Sequence, residues 1–173
     1  KSLLFVTYFP SLEKDSINKK VFNNKYTPVL QHKLKEMKMP VIWLLIFVKM
    51  NDFNNFKKAA KLAKFFVDNK EKLIFLEEYF TLKDAVLSFI FWIRQAFLAF
   101  FVYFLAIKSI IAIKPLGKEF KPIIRSIWFY SFCGTIGIES IIYSFVFNRI
   151  FKNMNNITKC IYFCEMQAWE KAL

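Results

Sequence analysis

Two ionisable residues stand inside the most apolar stretches of this 173-residue chain. Arg94 and Gln95 interrupt "SFIFWIRQAFLAFFVYF", and Glu139 interrupts "GTIGIESIIYSF". A carboxylate in hydrocarbon is costly and expects a partner. One chemistry that fits is a buried ion pair, which specifies helix register more than it stabilises. Another is conduction, because intramembrane carboxylates also mark proton and ion paths. A third reading involves no chemistry. Between Arg94 and Lys108 lie 13 uncharged residues, about 20 Å of helix, so both cations can stretch toward opposite interfaces.

Spacing favours a pair. If the two apolar runs form a hairpin turning near Lys118, residues at equal depth have numbers that sum to about 236, and Glu139 lies within about 4.5 Å of the level of Arg94. Ser131, Thr135, Glu139 and Tyr143 follow one another at intervals of four, which places them on one helix face. Gln95 and Tyr143 complete a candidate polar cluster with Arg94 and Glu139. Gly134 and Gly137 let another backbone approach closely. A proton relay needs titratable groups in series, and the second run carries one carboxylate, so direct conduction is the lesser expectation.

Elsewhere the chemistry is sparse. The sequence has no Gly-rich phosphate loop, no G-x-S-x-G elbow and no H-E-x-x-H. His32 is the single histidine, so bis-histidine haem ligation by this chain is excluded. Cys160 and Cys164 are one helical turn apart, a strained spacing for a disulfide and two ligands short of a zinc site. Glu77 and Glu78 are assigned to the wet face of a helix. The expectation is therefore no catalytic residues, no cofactor and no metal.

The elements that hold these residues follow from composition. Apolar residues make up 56% of the chain, with 23 Phe and three Gly. They pool in residues 85–113 and 123–147, each long enough to cross a bilayer. The connection "KPLGKEFKP" is too short for a domain, so the two spans form an antiparallel hairpin. Thr81 followed by Asp84 has the form of a capping box at the start of the first span. Residues 54–80 show amphipathic helical spacing with lysines on the polar face. Residues 39–50 are apolar over about 15 Å, which suggests an interfacial helix beginning at Pro40, with a strand or a contact with a partner as the alternatives. Residues 1–38, with Pro10 and Pro28 as breakers, suggest an extended arm with one short helix near Val29–Met37 and without its own core. Ile161, Cys164, Ala168 and Trp169 suggest a short amphipathic helix in the tail.

The net charge is +13. Residues 1–84 hold 16 Lys against nine acids. No nucleic-acid recognition motif accompanies this excess, so nucleic acid is not the expected partner. The lysines flank the spans, and Lys108, Lys114, Lys118, Lys121 and Arg125 are placed to meet anionic head groups, cardiolipin among them.

These readings combine into an all-α membrane protein. Its parts are a basic arm with a short apolar segment (1–53), an amphipathic helix (54–80), a two-span hairpin (81–148) and a tail (149–173). The expected function is that of a non-enzymatic accessory subunit in a larger membrane assembly, with the mitochondrial inner membrane and a respiratory-chain or ATP synthase complex as the expected home. The alternative is a small ion- or proton-conducting subunit that uses Glu139.

Overall fold

The computed structural model describes residues 2–13, 15–50, 53–107, 120–154 and 156–162. The chain divides into two compact units, one of residues 1–79 with 150–164, the other of residues 80–149 with 165–173.

The first unit overturns the all-α expectation. It holds a four-stranded sheet in the order β3-β2-β1-β4, with every neighbouring pair parallel. The strands are β1 (Ser2–Phe9), β2 (Val41–Phe47), β3 (Leu73–Phe75) and β4 (Ile157–Tyr162). Between them run α1 (Ser16–Lys19), α2 (Pro28–Glu36) and α3 (Phe56–Asp68). Leu3 to Phe9 pair in unbroken register with Val41 to Phe47.

The supposed arm and interfacial helix are thus the two central strands. "VIWLLIF" is a continuous apolar run, and "LLFVTYF" is one but for Thr7, because a parallel sheet is buried on both faces and need not alternate. Phe5, Phe9, Trp43, Leu45, Leu73 and Phe75 lie on one face, every second residue of each strand. Ala59, Ala63 and Phe66 of α3 cover them, together with Phe22. The ring of Phe22 sits 4.9 Å from that of Trp43 and 5.9 Å from that of Phe66. On the opposite face Leu4, Val6, Leu44 and Ile46 are buried as well.

The amphipathic helix is real but shorter than expected. Asn55 caps α3 by accepting from the Lys58 N–H at 2.9 Å, and α3 ends at Asp68. Lys70 then takes a left-handed backbone conformation, φ 74°, and the chain enters β3. Leu73, Leu76 and Phe80 fit helical spacing, yet Leu73 lies on a strand and Leu76 on the 3-10 turn Leu76–Tyr79. In the tail Ile161 belongs to β4, not to a helix. Cys164, Ala168 and Trp169 lie outside the described residues.

The second unit contains the hairpin. Its first limb is α4 (Leu82–Val102), continued by a π-turn over Tyr103–Ile107. Its return limb is α5 (Phe120–Cys133) followed by α6 (Thr135–Asn153), whose last residues belong to the first unit. The helices Leu82–Leu105 and Phe120–Asn153 are long and apolar enough to cross a membrane. Only 11% of the most apolar window of each is buried, unlike a core helix, whose apolar faces are covered.

Candidate functional site

The polar residues of the hairpin are built from its two limbs. The capping box forms as its sequence indicates. Asp84 Oδ2 accepts from the Thr81 N–H at 2.9 Å, and Thr81 Oγ1 accepts from the Asp84 N–H at 3.3 Å. The same carboxylate receives Arg149, whose Nη1 and Nη2 donate to Asp84 Oδ2 and Oδ1 at 2.5 and 2.6 Å. This fork-to-fork geometry is the strong form of a charge-assisted contact. Asp84 is 2% exposed and the Arg149 side chain 31% exposed. Thr81 and Asp84 carry a sequence signal, but nothing local in the sequence couples residue 84 to residue 149.

Arg94 and Glu139 do not pair. Both side chains are exposed, and neither has a hydrogen-bond or ion-pair partner among the described residues. The cross-hairpin register explains this. Gln95 Nε2 donates to the Phe132 carbonyl at 3.3 Å, Cys133 Sγ lies 3.8 Å from the Ala96 carbonyl, and Trp128 Nε1 donates to the Ala99 carbonyl at 3.0 Å. Extending that register places Arg94 level with Gly134, about five residues short of Glu139, roughly 7.5 Å along the helix.

The return limb bends at that level. Gly134 separates α5 from α6. A Cβ on Gly134 would lie 2.5 Å from the Tyr130 carbonyl oxygen, and one on Gly137 would lie 2.5 Å from that of Phe132. The two glycines therefore admit the close backbone approach of a broken helix within their own limb. Gln95 donates to the Phe132 carbonyl beside the break. The break also splits the expected stripe. Ser131 lies on α5, whereas Thr135, Glu139 and Tyr143 lie on α6. Thr135 Oγ1 sits 3.4 Å from Tyr130 Oη, and Tyr143 packs against Phe147. Among the predicted head-group cations, Lys121 and Arg125 begin α5 and are exposed or partly exposed. Lys108, Lys114 and Lys118 lie outside the described residues.

The first unit supplies a second place where chemistry can gather, the carboxyl edge of the sheet. After β1 come Pro10 and Ser11, both buried. The Phe9 carbonyl accepts from Val48 N–H at 2.9 Å, which ties the ends of β1 and β2 together. Behind them Asn24 Nδ2 donates to Thr7 Oγ1 at 2.6 Å, Gln31 Oε1 accepts from the Asn24 N–H at 2.9 Å, and Gln31 Nε2 donates to the Phe22 carbonyl. This buried network fixes the loop that follows α1.

Glu77 does not face water as expected. It follows β3, and its Oε1 accepts from the Phe47 N–H at 2.8 Å. Its Oε2 is buried without a hydrogen bond. Burial pushes the carboxyl above its ordinary value, against the lowering effect of the backbone N–H contacts. A raised acid pKa means that the folded state holds the proton more firmly. Stability should therefore fall as pH rises from the ordinary carboxylate range through the raised value. Glu77→Gln keeps an acceptor for Phe47 and should flatten that dependence. The check is the denaturation midpoint of the detergent-solubilised chain at pH 5 and pH 8. An equal slope in both proteins refutes the assignment.

Cys160 lies on β4 with no disulfide, and burial pushes its thiol up to about 11. It stays protonated at neutral pH and is a weak nucleophile. Among the described residues, no group of three or more His, Cys, Asp and Glu side chains is placed to hold a metal ion.

No family model, curated protein or solved structure matches this chain.

Proposed function

We propose that this protein is a membrane-anchored α/β module that binds a small polar ligand at the carboxyl edge of its sheet, between β1 and β4. The observation that carries this reading is the strand order, β3-β2-β1-β4, all parallel. From β1 the chain winds outward through β2 to β3, then returns to the other side of β1 to form β4. The winding direction reverses between β1 and β4. In open parallel sheets such a reversal opens a crevice outside the carboxyl ends of the strands, and ligands bind there. The inference rests on fold architecture and carries a ligand position rather than a reaction. The glycine fingerprint of dinucleotide sites is missing, since Gly117, Gly134 and Gly137 all fall after β3. A mononucleotide or another compact phosphorylated metabolite fits better than a dinucleotide laid across a glycine-rich turn.

The expectation of an accessory subunit leaned on an N-terminal arm without a core. That segment holds the central strand β1, so the reading loses one of its supports, beside the missing catalytic set and the excess of apolar faces, and it becomes the competing outcome of the test. Nucleoside mono- and diphosphates and sugar phosphates should be screened by hydrogen exchange on the purified full chain. Protection of amides 10–13 and 48–50 by a member of the panel is expected. No protection, together with comigration with a large assembly on a native gel, favours the accessory subunit.

Membrane anchoring has its own check. Two exposed apolar helices bury too much hydrocarbon to be released by charge screening. Alkaline carbonate should leave the chain in the pellet, and full release into the supernatant would sink the two-span reading.

A further inference from the structure

An apolar groove of about 400 Å³ runs along the hairpin, within the order of 300–1,000 Å³ usual for ligand pockets. Phe91, Leu98, Val102, Trp128 and Phe132 line it, and Arg94 is its one charged residue. Trp128 is held in place by its bond to the Ala99 carbonyl. The bond from Gln95 to Phe132 holds the two limbs together at the same level.

Arg94 is exposed on a helix whose neighbours Phe91, Phe97, Leu98 and Phe101 are also exposed. An arginine on such a surface must be hydrated or neutralised. No carboxylate among the described residues neutralises it, since Asp84 is taken by Arg149 and Glu139 makes no contact with it. Arg94 closes the uncharged stretch 95–107, and Glu139 closes the uncharged stretch 126–138 on the antiparallel limb. Arg94 lies near the middle of Leu82–Leu105, ten residues or about 15 Å of helix from Asp84, so its long stem and local hydration must bring the guanidinium and a phosphate together.

We propose that the groove binds an anionic phospholipid, with its phosphate at Arg94 and one acyl chain along Phe91, Leu98, Val102, Trp128 and Phe132. A bilayer supplies this anion at high local concentration, and a guanidinium recognises phosphate through paired N–H donors. The bound chain covers the aromatic floor that the protein leaves open. The proposal rests on the two-span reading, which the carbonate wash tests separately.

Trp128 provides the readout. The chain is reconstituted in phosphatidylcholine bilayers, and a minor fraction of lipid carries brominated acyl chains. The Trp128 signal is isolated as the difference from Trp128→Phe. Brominated phosphatidylglycerol should occupy the groove about fivefold more readily than brominated phosphatidylcholine, the equivalent of about 1 kcal/mol for one cation at the surface. Arg94→Gln should abolish the preference and Arg94→Lys should keep most of it. Val102→Phe, which fills the groove and leaves Arg94 in place, should reduce quenching by both lipids. Equal quenching by the two lipids in the unsubstituted chain overturns the proposal. So does a preference that survives Arg94→Gln and disappears when Lys121 and Arg125 are replaced by Gln, because the lipid then sits at the other end of the hairpin.

Discussion

Replacing Arg149 with leucine is expected to lower the stability of the chain by about 3 kcal/mol, the range for removing one partner of a buried pair. The reason is asymmetric exposure. Asp84 is 2% exposed and one of its oxygens already accepts from the Thr81 N–H, so loss of Arg149 strands a buried carboxylate. The partner residues are 65 positions apart, so the pair closes the hairpin at the end opposite its turn. Adding Asp84→Asn to Arg149→Leu should recover part of the loss. An asparagine oxygen can still accept from the Thr81 N–H while the stranded charge is gone. Denaturation of the four proteins in one mild detergent gives the double-mutant cycle. If the two changes simply add, the residues are not coupled and the closure described above is wrong. Arg94→Leu is the contrast. With no ion-pair partner in the chain, it should change stability by less than Arg149→Leu does.

Phe22→Ala is expected to cost about 3–5 kcal/mol, the usual range for truncating a buried aromatic. Phe22 is fully buried, and its ring packs against those of Phe9, Trp43 and Phe66. Those contacts join β1, β2 and α3. The same measurement separates two pictures of residues 1–38. In an extended arm without a core, Phe22→Ala would be nearly silent. In the parallel sheet it removes a central ring and should lower the denaturation midpoint of the whole first unit. Ile17→Ala is the control, since Ile17 is 51% exposed and surface changes of this kind usually stay within about 0.5 kcal/mol. Equal effects at the two positions would return the segment to an unpacked arm.

The hairpin was the legible part of this chain. Its helices announce themselves by length, because a bilayer demands about 20 apolar residues per span and few other structures need so many in a row. The capping box was legible for a similar reason. Thr81 and Asp84 satisfy each other's backbone within four residues, so the whole device sits in one short string of sequence. Asn55 before α3 is a start signal of the same local kind.

The sheet was misread for a definite physical reason. Seven apolar residues in a row carry no period, and a parallel strand buried on both faces gives no alternation to detect. "VIWLLIF" therefore suited a helix or a strand equally, and Pro40 before it tipped the reading toward a helix start. β4 was harder still. "ITKCIY" is exposed at Thr158 and Lys159, and it becomes a strand because β1 offers an unpaired edge beside Ser2 to Val6. That edge belongs to a residue stretch about 155 positions earlier, so no window along the sequence contains both partners.

Charge followed the same division. From the sequence alone, an arginine and a glutamate in apolar runs asked for partners, and equal depth suggested each other. The tertiary structure decided otherwise, because the register set by Gln95–Phe132 and Trp128–Ala99 places Arg94 level with Gly134 and leaves both side chains exposed. It instead joined Asp84, marked in the sequence only as part of a cap, to Arg149. What the sequence determined by itself were the features set within one turn or one span: the capping box at Thr81, which stretches are long and apolar enough to cross a bilayer, and the absence of a glycine-rich loop after β1. What only the tertiary structure decided were the features that need two distant segments in register. These are the parallel sheet, the β1–β4 reversal and the Asp84–Arg149 closure, and pairing energies between segments far apart in the chain leave no local pattern to read.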